Sequence, residues 1–325
     1  MGLRILVRRH GGPEVLEPDS FEPGRPGPGE ALVRQEAIGV NYIDTYFRTG
    51  LYPPPGGLPF VPGNEAAGVV EAVGEGVGEV APGQRVAYAA GPGSYTTHRI
   101  IAARLLVPLP DDIDTATAAA MMLKGMTAQY LLRQTYVVRP GDTVLIHAAA
   151  GGVGLIACQW AKHLGATVIG TVGSPEKAAI ARAHGCDHVI LYDREDVVAR
   201  VKEITKGVGV PVVYDGVGKS TFMTSLDCLK PRGLLVSFGN ASGPVEGVNL
   251  GILAAKGSLY VTRPTLVTYT ATREQLLACA NDLFDVVRRG AVRIEINQRF
   301  PLAEAAAAHR ALEGRATTGS TLLLP

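Results

Sequence analysis

Ala149-Ala150-Gly151-Gly152-Val153-Gly154 is the run of this chain whose residue types and spacing point most directly to chemistry. It follows a short apolar stretch, Val144, Leu145 and Ile146, and a helical pattern opens near Gly152. The spacing is that of a G-x-G-x-x-G dinucleotide turn with alanine in the first glycine slot. Gly151 has no side chain to block a pyrophosphate, and Gly154 lets the helix lie tight on the strand. The freed amides at the helix start, with the helix dipole, face the anion. Ala150, Gly151, Gly152 and Val153 are therefore the expected diphosphate contacts. Turns of this shape also occur as plain strand–helix connections, but the strand–helix units that follow favour nucleotide binding.

A second position tests which nucleotide. Folds that prefer NAD place an acid about 20 residues on, where it holds the ribose 2′-hydroxyl. Here that position is Gly173, followed by Ser174-Pro175-Glu176-Lys177. With no acid at the strand end, nothing repels a 2′-phosphate. Ser174 is set as a helix N-cap with Pro175 at the first helical position. Ser174 can donate to a phosphate and Lys177 lies one turn in; equally, Ser174 can merely cap and Lys177 be solvated. Glu176 can partly replace the missing acid. The missing acid decides the reading: NADP(H) is expected over NAD(H).

These residues need elements to position them. Residues 1–125 read as β-rich, with strands over Leu3–Val7, Ala31–Ala37, Ala67–Val73 and Arg85–Ala89 between Pro/Gly turns. From about Ala116 an Ala-, Leu- and Met-rich helix pattern takes over. Regular alternation follows: strands Thr143–His147, Thr167–Val172, His188–Tyr192, Val210–Asp215, Gly233–Phe238 and Ser258–Thr262, with helices near 153–164, 175–184, 195–205, 219–229 and 246–255. That is the pattern of a doubly wound parallel six-stranded sheet, an α/β fold. The tail holds helices around 272–289 and 302–313 and a last strand, Ser320–Leu324, able to pack back on the N-terminal part. The expected division is 1–125 with 265–325, and 126–264.

Open α/β sheets bind ligands at strand ends, which adds candidate cofactor contacts. Tyr192 ends the third strand and can cover an adenine. Val217 follows the fourth, Phe238, Gly239 and Asn240 follow the fifth, and Thr262 and Arg263 end the sixth.

Composition excludes other classes. At 325 residues, two domains are expected. The 31 basic and 30 acidic residues leave no electrostatic footprint for nucleic acid or an anionic membrane. The charged start, MGLRILVRRHGG, reads as no signal peptide, and no apolar stretch reads as a membrane span. Four cysteines (Cys158, Cys186, Cys228, Cys279) stand far apart without a C-x-x-C pair, so free core thiols and a cytoplasmic home are expected. Seven histidines show no metal-binding spacing and read as packing or surface residues, His147 being the one closest to the phosphate turn.

Taken together, Gly141-Asp142, Leu145, Ala149-Ala150-Gly151-Gly152, Gly154, Gln159 and Lys162 resemble the signature of the medium-chain dehydrogenase/reductase superfamily, in its quinone oxidoreductase/zeta-crystallin branch. The resemblance extends over GVNYIDTYFRTGLYP, PGNEAAGVVEAVG, PGQRVAY and the tail GRATTGSTLLLP, essentially the whole chain. It implies a GroES-like β-barrel domain, a Rossmann domain with NADP(H) in the cleft between them, and a homodimer formed through the nucleotide domains. It also implies NADPH-dependent reduction of quinones.

Zinc enzymes of that superfamily hold catalytic metal with a Cys in the segment reading here GVNYID and a His in the GHE segment. Here Asn41 stands at the first position and Gly63-Asn64-Glu65 lacks the His, while no Cys precedes Cys158. Zinc prefers thiolate and imidazole, so no metal site is expected. Without a Lewis acid, an acceptor that takes hydride readily, a quinone or an activated alkene, suits the site.

The resemblance places Asn41 and Tyr46 at the nicotinamide end and Tyr52 near the acceptor, with catalytic roles in alignment. Barrel packing is the alternative role for both tyrosines. Asp44 is either a further polar contact or a helix cap. Lys124 and Thr127 are similar to residues meeting the cofactor at the hinge, and Arg315 resembles an arginine closing on the cofactor phosphates. Two other functions stand beside quinone reduction: reduction of 2-alkenals or enoyl thioesters, and a non-enzymatic, crystallin-like nucleotide- or RNA-binding role.

Overall fold

The computed structural model describes all residues, 1–325. In chain order its elements are β1 (Gly2–Leu6), β2 (Glu17–Phe21), β3 (Glu30–Val40), α1 (Tyr42–Thr49), β4 (Glu65–Val73), β5 (Arg85–Ala89), β6 (His98–Ala102), β7 (Val107–Pro108) and α2 (Thr115–Tyr130). Then come β8 (Thr143–Ile146), α3 (Gly152–His163), β9 (Thr167–Val172), α4 (Pro175–Ala183), β10 (His188–Leu191), α5 (Val197–Ile204), β11 (Val210–Asp215) and α6 (Phe222–Cys228). The chain continues through β12 (Leu229–Ser237), α7 (Gly251–Ala255), β13 (Tyr260–Thr262), α8 (Leu266–Tyr269), α9 (Arg273–Arg288), β14 (Ile296–Pro301), α10 (Ala305–Glu313) and β15 (Ser320–Leu324).

The chain forms two compact units. One comprises Met1–Met126, Thr270–Arg288 and Ile294–Pro325; the other comprises Thr127–Tyr269 and Arg289–Arg293.

The first unit is built on a seven-stranded sheet, six strands in the order β14-β15-β3-β4-β5-β7 with β6 pairing to β3 as the seventh. All its pairings are antiparallel except β14 with β15. The tail strand β15 lies against β3, Leu322 opposite Gly39, so the last residues complete the sheet that the first residues begin. Ile5, Val33, Ile38, Val70, Val86, Tyr88, Ile101 and Leu323 fill its interior. Strands β2, β6, β7 and β14 and helix α8 are elements that the sequence pattern did not announce, and α1 enters the sequence reading only as the helix that Asp44 would cap. No residue of β2 or β14 is buried and their apolar residues do not alternate, so period-2 reading has nothing to find in them.

The second unit holds a six-stranded parallel sheet in the order β10-β9-β8-β11-β12-β13. In order of appearance that is 3-2-1-4-5-6, the Rossmann arrangement, whose strand order reverses between β8 and β11. Leu145, Ile169, Ile190, Val213 and Leu235 form its apolar centre with Phe222 and Leu226 of α6. Two expectations need correction. The helix read over 246–255 begins only at Gly251, just after a turn in which the Asn249 side chain accepts from the Gly251 amide at 2.8 Å. The sixth strand starts at Tyr260, because Ser258 takes a left-handed conformation (φ 55°) that no strand accommodates. No helix is long and apolar enough to cross a membrane.

Candidate functional site

In the second unit, the Ala149–Gly154 turn joins β8 to α3 as the spacing requires. Gly151 is the N-cap residue and Gly152 the first helical one, so the opening amides of α3 have no intrahelical acceptor. A Cβ on Gly154 would fall within 3 Å of the Ala148 carbonyl oxygen and the Ala149 backbone, so only glycine allows this approach of helix to strand. Ala148 holds a left-handed conformation, φ 53°, a strain that a tight turn at a binding site commonly stores. The turn thus offers an anion a bare backbone cradle at a helix N-terminus.

The rim of that cradle is formed at the strand ends. Ser174 caps α4, its Oγ accepting from the Lys177 amide at 3.3 Å. Tyr192 lies one residue beyond β10 and packs its hydroxyl end over Gly173, where a Cβ would collide with it. The carboxylate of Asp215, buried at the end of β11, accepts from the amides of Val217 (2.8 Å) and Gly218 (3.0 Å) and from Ser225 Oγ (2.7 Å). It therefore sets the loop carrying Val217. Phe238 packs on Gly216, Gly239 lies against the Gly216 backbone, and Arg263 Nη1 donates to the Ser237 carbonyl at 3.1 Å. Asn240 accepts from the Gly243 amide at 2.9 Å through its backbone, and Thr262 closes β13. Thr127, buried, is the first residue of this unit.

His147 is a tie rather than a reactive base. Ser225 donates to Asp215, so its oxygen accepts from His147 Nε2 at 3.0 Å, and Nδ1 accepts from Thr171 Oγ1 at 2.9 Å. Burial holds its pKa below the ordinary histidine value, although Asp215 pulls the other way.

The first unit collects Asn41, Tyr46, Tyr52, Lys124 and Arg315. Asn41 is the N-cap of α1 and forms a capping box with Asp44, whose Oδ2 accepts from the Asn41 amide at 2.8 Å. Of the two roles weighed for Asp44, the structure shows the helix cap; its carboxylate is also a buried hub that accepts from Asn64 and Tyr95. The side-chain amide of Asn41 donates to Glu65 Oε1 at 2.8 Å, and Lys124 Nζ donates to the same oxygen. Glu65 Oε2 accepts from the Leu123 amide at 2.7 Å, so this fully buried carboxylate has a cation and two further donors. Tyr46 and Tyr52 meet edge to face with ring centroids 5.3 Å apart, and Phe47 lies edge-on to Tyr52 at 5.8 Å. Arg315, at the C-terminal end of α10, has φ 56° and donates its amide to Leu312 O at 3.1 Å.

Glu65, Asp215, Tyr95 and His309 were not singled out by sequence reasoning. Glu65 had a signal, since it stands in the Gly63-Asn64-Glu65 run; Tyr95 and His309 had none. No group of three or more His, Cys, Asp or Glu side chains comes together in a metal-holding arrangement. All four cysteines are buried free thiols.

Residues 27–111 match the family described as alcohol dehydrogenase GroES-like domain, and residues 152–282 match zinc-binding dehydrogenase. A quinone oxidoreductase of Pseudomonas aeruginosa is 62% identical over 100% of both chains. The chain belongs to the quinone oxidoreductase branch of the medium-chain dehydrogenase/reductase superfamily. A 2-haloacrylate reductase from a Burkholderia species is 47% identical over 100% of this chain and 99% of its own. The crystal structure of Escherichia coli quinone oxidoreductase complexed with NADPH superposes with a TM-score of 0.98 at 53% identity, covering 99% of this chain and 100% of that one.

Proposed function

We propose that this protein is a zinc-independent NADPH:quinone oxidoreductase. The observation that carries the reading is full-length identity of 62% to a quinone oxidoreductase, on a chain whose strand-end position 173 is a glycine. The reaction consumes one proton: quinone, NADPH and a proton yield hydroquinone and NADP⁺. The nicotinamide supplies the hydride; this chain binds, orients and excludes water. The α3 amides and Gly151, Gly152 and Val153 hold the diphosphate, and Ser174 and Lys177 take the 2′-phosphate, with no acid at Gly173 to repel it. Tyr192 covers the adenine, and Val217, Phe238, Gly239, Asn240, Thr262 and Arg263 line the remaining strand-end positions. Asn41, fixed by Glu65 and Asp44, presents its second amide N–H to a carboxamide or quinone oxygen. Tyr46 and Tyr52 offer flat faces and hydroxyls to a planar acceptor. Lys124, Thr127 and Arg315 are further cofactor contacts. We assign residues 1–125 and 265–325 to catalysis and 126–264 to the nucleotide.

The donor set at positions 41 and 63–65 is carboxamide and carboxylate, a poor match for zinc. We propose a homodimer through the edge strand β13, where Tyr260 is 60% and Val261 38% exposed. The chain's four buried cysteines, none joined in a disulfide, suit a reducing cytoplasm.

The test is NADPH consumption with a benzoquinone, a fused-ring quinone and a 2-alkenal, each repeated with NADH. Fast turnover of quinone with NADPH is expected. Turnover of the alkenal alone would move the function to reduction of an activated alkene, the reading that the 2-haloacrylate reductase relative favours.

A further inference from the structure

A line of buried side chains runs through the first unit behind Asn41, and its hydrogen-bond directions follow from one residue. Arg48 is 1% exposed and donates from Nη1 to His309 Nδ1 at 2.9 Å. Arginine has no acceptor, so Nδ1 carries no proton and the neutral imidazole holds its proton on Nε2. Nε2 faces Tyr95 Oη at 2.9 Å, so His309 donates and the tyrosine oxygen accepts. The Tyr95 hydroxyl proton then goes to Asp44 Oδ2 at 3.0 Å. Asp44 accepts at the far end, where Oδ2 also takes the Asn41 amide and Oδ1 takes Asn64 Nδ2 at 2.5 Å. At the outer end the Arg48 guanidinium is clamped by Glu313 through two bonds, 2.7 and 2.9 Å, and by Gly11 O at 3.1 Å.

Arginine cannot pass a proton on, so the line is no conduit. It is a strut whose polarity is fixed from outside inward. We infer that Tyr95 and His309 are positioning residues for the reaction: with Arg48 they hold Asp44 as the acceptor that sets Asn41 and Asn64, and they thereby determine the pH range in which Asn41 is presented to its ligand. This rests on the proposed oxidoreductase reading for its rate measurement, but not for its binding measurement.

The environment of Asp44 is crowded with charge. Glu65 of β4 faces it with Lys124 of α2 paired to Glu65; Tyr95 reaches it from the β5–β6 connection; Arg48 lies one turn along α1; His309 and Glu313 come from α10. Burial raises the Asp44 carboxyl to about 6, while the bonds from Asn64, Asn41 and Tyr95 hold it down against that trend. Once protonated, Asp44 must donate, and every group hydrogen-bonded to it is a donor already. Asn64 must turn its amide or the Asn41 contact must open.

The experiment is a pH series of kcat/KM for quinone reduction, with NADPH affinity measured over the same range. Wild type, Asp44→Asn, Tyr95→Phe, His309→Gln and His309→Leu are compared. In wild type kcat/KM falls below about pH 6. Tyr95→Phe removes a donor to the carboxylate, so the acid limb moves up by roughly one pH unit, about a tenfold further loss at pH 5. Asp44→Asn shows the low, pH-flat rate of the protonated form. His309→Gln can accept from Arg48 and donate to Tyr95, so it keeps the wild-type limb; His309→Leu removes the donor that orients Tyr95 but leaves its hydroxyl, so its limb lies between those of wild type and Tyr95→Phe. Were Asp44→Asn unstable, the Tyr95 and His309 variants decide alone. Acid limbs that superimpose in wild type, Tyr95→Phe and His309→Leu overturn the inference. Absence of quinone turnover in wild type would sink the functional reading instead. The inference then rests on NADPH affinity, in which the 2′-phosphate's own titration cancels between wild type and Tyr95→Phe. A difference that grows below about pH 7 upholds it, and a constant one overturns it.

Discussion

Asn41 and Lys124 donate to the same atom, Glu65 Oε1, so one buried carboxylate oxygen fixes two side chains that lie far apart in sequence. Glu65 is completely buried and Lys124 is 5% exposed, so neither charge has water to fall back on. Glu65→Ala should therefore cost about 3–5 kcal/mol of stability, since it strands the ammonium and leaves the Leu123 amide and the Asn41 side chain unpaired. Urea unfolding would measure it. A cost below about 1 kcal/mol would mean that water replaces the carboxylate and that Asn41 is not held as described.

Lys177 sits one turn inside α4, whose N-cap is Ser174. Lys177→Glu should weaken NADPH at least tenfold more than NADH, because it sets a negative charge where the 2′-phosphate is proposed to bind. Titrations with both nucleotides would show it. Equal weakening would remove the basis for the NADP(H) preference.

Gly154 has no room for a side chain against Ala148 and Ala149. Gly154→Val should push α3 away from β8, abolish NADPH binding and lower stability by about 1–3 kcal/mol through overpacking. Fluorescence titration with NADPH, alongside thermal unfolding, tests both. Retained affinity would place the diphosphate elsewhere.

Asp44 and His309 titrate oppositely between folded and unfolded chains. Burial raises Asp44 from 3.8 to about 6, so its proton adds stability that is fully present below 3.8 and lost as pH rises through about 6. Burial, with Arg48 beside it, lowers His309 from 6.5 to about 3, so its neutral form adds stability that is present above 6.5 and lost as pH falls towards 3. Between about pH 6 and 4 each state binds one proton, the unfolded chain on His309 and the folded one on Asp44, and the two dependences cancel. Asp44→Asn should uncover the histidine: stability should drop by about 1.4 kcal/mol per pH unit below pH 6. His309→Gln should reverse the sign, with stability rising as pH falls. Denaturation at several pH values would read both slopes, and parallel slopes in the two variants would contradict the assignment.

The sequence by itself determined the parts whose physics is local. The Ala149–Gly154 turn, the Ser174-Pro175 helix start and the strands β8 to β12 are readable because apolar runs, small-residue spacing and capping chemistry act over a few residues. The absence of an acid at Gly173 is equally local. Tertiary structure alone decided what depends on distant segments meeting. Strand β15 closes against β3 across most of the chain length, and β2 and β14 become strands through their partners rather than through their own patterning. Glu65 gathers Asn41 and Lys124, and Arg48 reaches His309 and Glu313 from α10. Hydrogen-bond direction is a property of such assembled neighbours: His309 has no defined tautomer in the sequence, and acquires one only when an arginine is folded against its Nδ1.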